Sequence, residues 1–401
     1  MSGASADLEI VSAVDDGGWE ELAHLDAESF VSTVQHSRRW LAALRPHVVA
    51  RVARRGGAIV GCYLLGRVDQ RFGGAPVPAT AVAGVAVRPE ARGLGAGGAL
   101  MRDLVGTSRE SGAALAPLWG AVPRFYRRWG WGLCERAVSH RVRVDALLGL
   151  RGRGEPRRDP AFDAWQPVWA EHVAGYDGAV DLVPWLIAST DAQAHDPGEH
   201  HHHLAWTEAG GITGCVRFSQ RRSGGQVVTD VRRFAAITPD ALRGLLHLVA
   251  SSDGQGEEVV FVAGRLPARH PLLHVLPDPH RGWLRSEGGY CWMQRLTDLG
   301  AALRARGWDR RVRGAVTLAV DDPLAVEATR LRVDLEDGGV AVREGGDGAL
   351  RLGAAALASW YCGALDLVTA LRLGLAEGPV EAAALLDAAR PARETWLSEE
   401  F

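Results

Sequence analysis

The sequence predicts a mixed α/β protein of three domains, on three observations. Its 401 residues suffice for two or three domains at roughly 150 residues each. Runs of β-branched residues alternate with stretches whose apolar residues recur at helical spacing, and this alternation restarts twice along the chain. A β-branched run at 80–87 (TAVAGVAV) passes directly into a helical pattern through a run of glycines, the junction of an α/β unit.

The first segment, 1–150, opens with two short helices within 17–40, where Trp19, Leu22, Leu25 and Phe30 fall at near-helical spacing. A strand is expected at 58–65 after the Arg54-Arg55-Gly56-Gly57 turn, followed by a Gly/Pro-rich turn at 72–78. After the strand at 80–87 and the glycine run, a helix is expected to about Glu110, then a strand at 113–118 and a short helix at 122–129 closed by Gly130. Residues 149–160 (GLRGRGEPRRDP) carry no apolar periodicity and read as a linker. The second segment, 151–289, repeats the mixed pattern without a glycine-rich turn: a helix from 162, strands at 211–218 and 226–234, a helix at 239–251 and a strand at 258–263. The third, 290–401, holds strands at 291–296, 315–320 and 331–335. Its helices are expected at 298–306, 354–362, 365–373 and 380–389.

Composition sets limits. With 47% hydrophobic and 23% charged residues the chain is neither collagen-like, nor a coiled coil, nor disordered. A net charge of −3 argues against a nucleic-acid binder or a polybasic membrane anchor. No apolar run reaches the ~18 residues needed to span a bilayer, and no leader-type run follows Met1, so a cytoplasmic location is expected. Five scattered cysteines with no CxxC pair fit free thiols in a reducing compartment. The chain has no lysine, all 45 basic residues being arginine, which excludes a Walker loop and any lysine nucleophile.

The chemistry concentrates at Arg92-Gly93-Leu94-Gly95-Ala96-Gly97-Gly98. Glycines there let a backbone approach a ligand, and the N–H groups of the following helix start suit an anion such as a pyrophosphate. A dinucleotide-binding loop fits poorly, because this loop follows several strands and contains Arg92; a plain glycine-rich turn is the structural alternative. His200-His201-His202-His203 reads as a polar loop entering a strand at 203–206 rather than a metal site, and no metal is expected.

The spacing Val87-x-Pro89-x-x-Arg92-Gly93-x-Gly95-x-Gly97 resembles the pyrophosphate signature of the GNAT superfamily of N-acetyltransferases. Tyr126-Arg-Arg-Trp-Gly130-Trp131 resembles that family's Y-x-x-x-G-[F/W] element. The order of the three segments, with Trp292-Met-Gln-Arg-Leu-Thr-Asp298 and Trp360-Tyr-Cys-Gly363, resembles the enhanced intracellular survival (Eis) acetyltransferases. The resemblance implies two tandem GNAT-like α/β domains, the second degenerate, and a sterol-carrier-protein-like α+β domain. It also implies acetyl-CoA as co-substrate, a homohexamer, and transfer of acetyl to primary amines of aminoglycosides or lysine side chains. In the site it implies, Val85, Ala86, Val87 and residues 92–98 hold the cofactor, and the Val85 or Val87 N–H polarises the carbonyl. Tyr126 is the general acid and the α-carboxylate of Phe401 the base. Asp26, with Glu400, Glu399 and Glu28, would line an acidic acceptor pocket, and His36 and Trp40 lie where its aromatic walls are expected. Trp119 stands in a stretch that lacks the family's Ser and Glu, so it is expected to reshape the pocket. The competing reading is an apolar-ligand-binding or regulatory protein with an inactive GNAT domain.

Overall fold

The computed structural model describes residues 8–12, 15–193, 199–252, 256–270, 272–276 and 283–401. The start of the chain, read above as lacking a leader, lies outside the described residues as far as residue 7.

The first segment runs β1 (Leu8–Ser12), α1 (Asp16–Phe30), α2 (Val34–Leu44), β2 (Val48–Arg55), β3 (Ala58–Phe72), β4 (Ala75–Val87), α3 (Ala96–Glu110), β5 (Leu115–Gly120), α4 (Pro123–Arg127), β6 (Gly132–Arg143) and α5 (Val144–Leu148). The second adds β7 (Glu155–Arg158), α6 (Phe162–Val173), α7 (Pro184–Gln193), β8 (His200–Glu208), β9 (Gly211–Ser223), β10 (Gln226–Ala236), α8 (Pro239–Ser251), β11 (Glu258–Phe261), α9 (Leu272–Val275) and β12 (Leu284–Leu296). The third comprises α10 (Leu299–Ala305), β13 (Gly314–Asp321), β14 (Thr329–Glu336), β15 (Gly339–Glu344), β16 (Leu350–Gly353), α11 (Ala354–Tyr361), α12 (Leu367–Arg372), β17 (Ala376–Glu377) and α13 (Val380–Ala389).

Twelve strands form one sheet in the order β1-β2-β3-β4-β5-β12-β6-β11-β10-β9-β8-β7. The late strand β12 thus completes the first segment's sheet, antiparallel to both β5 and β6, while β6 passes its other edge to β11. The exchange makes one continuous sheet of the two halves. It also moves a boundary: the joint expected at residue 290 falls inside β12, and the chain reaches the second sheet only after it. That second sheet, β15-β14-β13-β16-β17, shows the strict alternation of a half-buried strand, with Leu331, Val333 and Leu335 of β14 turned inward.

Three local readings change. The turn expected at 72–78 shrinks to Gly73-Gly74, whose positive φ angles (60° and 86°) close a tight hairpin, and Pro76 and Pro78 lie within β4. Pro78 still serves the sheet through its carbonyl, which accepts the Ala114 N–H at 2.9 Å. The linker contains the exposed edge strand β7, which pairs with β8. His200–His203 belong to β8 rather than to a loop, and their register against β9 puts successive rings on opposite faces.

Helices α1 and α2 cover one face of the first half and α3 the other. In the second half α6 and α8 likewise lie on opposite faces. The third domain locks on through Arg306, fully buried with its guanidinium over the rings of Tyr361 (4.6 Å), Trp308 (5.0 Å) and Trp360 (5.9 Å). Its Nη2 lies 3.8 Å from the Asp177 carboxylate. No helix among the described residues is long and apolar enough to cross a membrane.

Candidate active site

The central feature is a gap. Strands β4 and β5 run parallel but pair only where Ala79 faces Leu115; beyond that point β4 continues to Val87 and β5 to Gly120 with no further ladder pair between them among the described residues. A bulge deepens the divergence. The register against β3 jumps from Cys62–Ala86 to Leu64–Ala83, which leaves an extra residue on β4. Gly84 sits there at φ 55°, and any Cβ would meet Leu64 at 3.3 Å and Trp40 at 3.7 Å. Around the bulge Val85 and Val87 are half-buried and Ala86 is buried.

At the mouth of the gap the chain leaves β4, makes a short 3-10 turn at Pro89–Ala91 and enters α3. The glycines divide the work. Gly93 (φ 76°) and Gly95 (φ 92°) have open space around them, so they serve conformation alone. Gly97 and Gly98 serve packing: a Cβ would lie 3.1 Å from the Phe125 ring and 2.9 Å from the Trp129 ring. Gly95 is the N-cap of α3 and carries no side chain to satisfy the first-turn N–H groups, and no acidic residue occupies that turn. The positive end of the helix is therefore free to meet an anion. Arg92 and Leu94 are exposed, Ala96 is buried as the anchor, and the Arg92 Nε donates to the Val87 carbonyl at 3.3 Å.

The packing of Phe125 and Trp129 on Gly97 and Gly98 brings Tyr126 beside this loop. Its ring lies edge-on to Phe125 (5.2 Å) and Trp131 (6.1 Å), and Trp131 is pinned by its Nε1 on the Ala116 carbonyl at 3.0 Å. Gly130, at φ 86°, reverses the chain so that the Trp129 and Trp131 N–H groups both donate to the Tyr126 carbonyl. The Tyr126 hydroxyl makes no hydrogen bond among the described residues. Burial pushes its pKa up to about 12, so it is a protonated donor across the neutral range and a weaker acid than an ordinary tyrosine.

The opposite face of the gap carries α1 and α2. Trp40 is buried against the bulge and donates its Nε1–H to Ser189 Oγ at 2.9 Å. Asp26 of α1 is buried and accepts the Ser37 hydroxyl at 2.6 Å; burial raises its pKa, while the Ser37 hydrogen bond and half-buried His36 pull the other way. Glu28 is instead exposed and faces Arg88 at 3.5 Å.

The acidic pocket expected from the end of the chain takes a different form. Glu399 is buried and held by Arg233 through two hydrogen bonds, at 3.2 and 2.7 Å, and Glu400 pairs with Arg265 at 3.1 Å. Both carboxylates are neutralised by arginines of the second half, so neither is a free acidic wall. Trp119, expected to reshape the pocket, donates its Nε1 to the Glu399 carbonyl at 2.9 Å. Phe401 is half-buried against the core that contains Trp396 and Leu397, whereas Tyr126 packs in the core on the α3 side of the sheet. The arginine pair escaped the sequence reading, as did the place of the bulge at Gly84. An isolated glycine inside a β-branched run was a usable signal for the bulge; nothing local marks Arg233 as a partner of a residue 166 positions away.

Comparison with known proteins follows this geometry. Residues 11–134 and 181–296 each match an acetyltransferase (GNAT) domain family, and 299–398 match the sterol carrier protein domain. The chain is 27% identical over 355 residues to an N-acetyltransferase of Streptomyces griseus, covering 82% of this chain and 83% of that one. Its fold superposes on a GCN5-related N-acetyltransferase from Anabaena variabilis with a TM-score of 0.89 at 19% identity, over 98% of this chain and all of that one. Eis1 from Mycobacterium abscessus gives a TM-score of 0.79 at 19% identity with the same coverage. The chain is thus an acyltransferase built of two acetyltransferase (GNAT) domains followed by a sterol-carrier-protein domain, in a fold it shares with Eis1.

Proposed function

We propose that the protein is an acetyl-CoA-dependent N-acetyltransferase acting on primary amines of polycationic acceptors, aminoglycoside-like molecules or lysine side chains. The observation that carries this reading is the uncapped, glycine-started α3 beside the gap between β4 and β5. The N–H groups of the first α3 turn would receive the pyrophosphate, with residues 92–98 moulded around it, and the pantetheine arm would lie in the gap. The amine would approach from the α1–α2 face, past Asp26 and Trp40, and attack the thioester carbonyl carbon. The N–H of Val85 or Val87 would hold the developing oxyanion. As the C–N bond forms and the C–S bond breaks, Tyr126 donates its proton to the departing sulfur, and the α-carboxylate of Phe401 takes the proton lost by the amine, directly or through water.

The same reading carries the homohexamer and the cytoplasmic location implied by resemblance to Eis proteins. Release of the CoA thiol is the test. A panel of aminoglycosides, polyamines and lysine peptides should give acceptor-dependent turnover; silence across the panel together with no acetyl-CoA binding would refute the reading.

A further inference from the structure

The second GNAT domain has no glycine-rich loop, yet it buries two arginines around the last residues of the chain. Arg233 and Glu399 are 2% and 1% exposed in their side chains and joined by a two-pronged contact. The Arg265 Nη1 approaches the same carboxylate at 3.7 Å and its Nη2 meets Glu400 at 3.1 Å. The Arg233 guanidinium also lies over Trp169 (5.4 Å) and Trp165 (5.8 Å), which fixes its plane.

The rest of the segment is pinned just as closely. Trp396 donates its Nε1 to the Gly264 carbonyl and its backbone N–H to the Asp177 carbonyl, at 2.9 and 2.8 Å. Ser398 Oγ accepts the Val180 N–H at 2.9 Å, and Trp119 of β5 reaches across to the Glu399 carbonyl. Gly264, at φ 78°, seats the Trp119 ring 3.2 Å from where a Cβ would be, so the tail crosses where the two domains touch. A buried ion pair adds little net stability compared with apolar residues of the same shape. What the fork does provide is direction: with residue 399 fixed in main chain and side chain, 400 and 401 have one way to go.

We propose that Arg233 and Arg265 are positioning residues, and that the second GNAT domain serves as the clamp that sets residue 401 at the acceptor side of the first domain's site. The proposal rests on the reading of the Phe401 carboxylate as the base. It predicts that the segment is released, and the reaction impaired, when the fork is broken while the cofactor site stays whole.

The experiment is a carboxypeptidase time course on the purified chain, followed by mass spectrometry and run beside kinetics and acetyl-CoA calorimetry. Wild type should keep Phe401. Arg233→Met should lose it at least tenfold faster, with kcat for the amine down at least tenfold and the acetyl-CoA Kd within twofold; Arg233→Lys, which keeps the charge without the fork, should fall between. If Arg233→Met does not fold, Glu399→Gln and Arg265→Gln are read in the same way. A tail as protected in the variants as in wild type overturns the clamp, whatever happens to turnover. Faster release with kcat unchanged overturns the link to catalysis. Faster release in the variant, with a wild type that acetylates none of the acceptors, leaves the clamp standing and removes the acetyltransferase reading instead.

Discussion

The two GNAT domains build the same unit, a bulged strand, a turn, a helix and a parallel strand, and finish it in opposite ways. In the first, β4 is bulged at Gly84, α3 begins at Gly95 without a side-chain cap, and β5 pairs with β4 only at its start. In the second, β10 is bulged between Val231 and Arg233, but α8 begins at Thr238, whose hydroxyl accepts the Ala241 N–H, with Pro239 and Asp240 in the first turn. Strand β11 pairs with β10 at three positions, Thr229 to Val231, where β5 pairs with β4 at one. The first helix start is open and positive; the second is capped by its own threonine and faced by a carboxylate. An anion site here is made by what the sequence leaves out. At the bulge where the first domain places the N–H groups of Val85 and Val87, the second places Arg233 on the chain's own tail.

The largest effect expected is in the first domain. Tyr126→Phe should lower turnover by roughly 100-fold or more, in the range of a lost general acid, while acetyl-CoA binding is kept. Unchanged turnover would remove Tyr126 from the chemistry. Next is Gly95→Asp, which sets a carboxylate at the start of α3, as Asp240 does at α8, and strains a position held at φ 92°. With each 1.4 kcal/mol worth a factor of ten, acetyl-CoA affinity should fall at least ~100-fold.

The halves should also differ in acid sensitivity. His270 is buried near His172 and His140, and burial pushes its pKa down to about 3. As pH falls through the ordinary value near 6.5 the unfolded chain takes up a proton that the folded chain refuses, so stability is lost from there down to about pH 3. At pH 5 this amounts to about 2 kcal/mol. Urea unfolding of wild type and His270→Gln at pH 7 and pH 5 should show a smaller acid loss in the variant; equal losses would rule out His270 as a source. The smallest effect is Thr238→Ala, expected to cost about 1 kcal/mol as a lost cap. It should create no acetyl-CoA site, because Asp240 still sits in the first turn of α8 and Arg233 still holds Glu399 at the bulge; a new binding event would show that the cap alone separates the two domains.

Much of the first domain was legible because its signals are local. The glycine run, the β-branched strand before it and Tyr126-x-x-x-Gly130 each declare themselves within a few residues, and the structure assembles them through the contacts of Gly97 and Gly98 with Phe125 and Trp129. What escaped is non-local. Strand β12 lies between β5 and β6, a pairing across more than a hundred residues that no turn signal announces. Glu399 read as a free acid because its partner Arg233 lies on a distant strand where nothing local marks it as buried or paired. The histidine run misled for a related reason: polar residues suggest a loop, but β8 tolerates them because its neighbour β9 supplies the pairing.

The comparison between the domains comes down to a count. Titration of the intact chain with acetyl-CoA by calorimetry should give one equivalent per chain, abolished or weakened at least ~100-fold by Gly95→Asp. Two equivalents per chain, or one that survives Gly95→Asp with its affinity intact, would contradict the assignment of the cofactor site to the open end of α3.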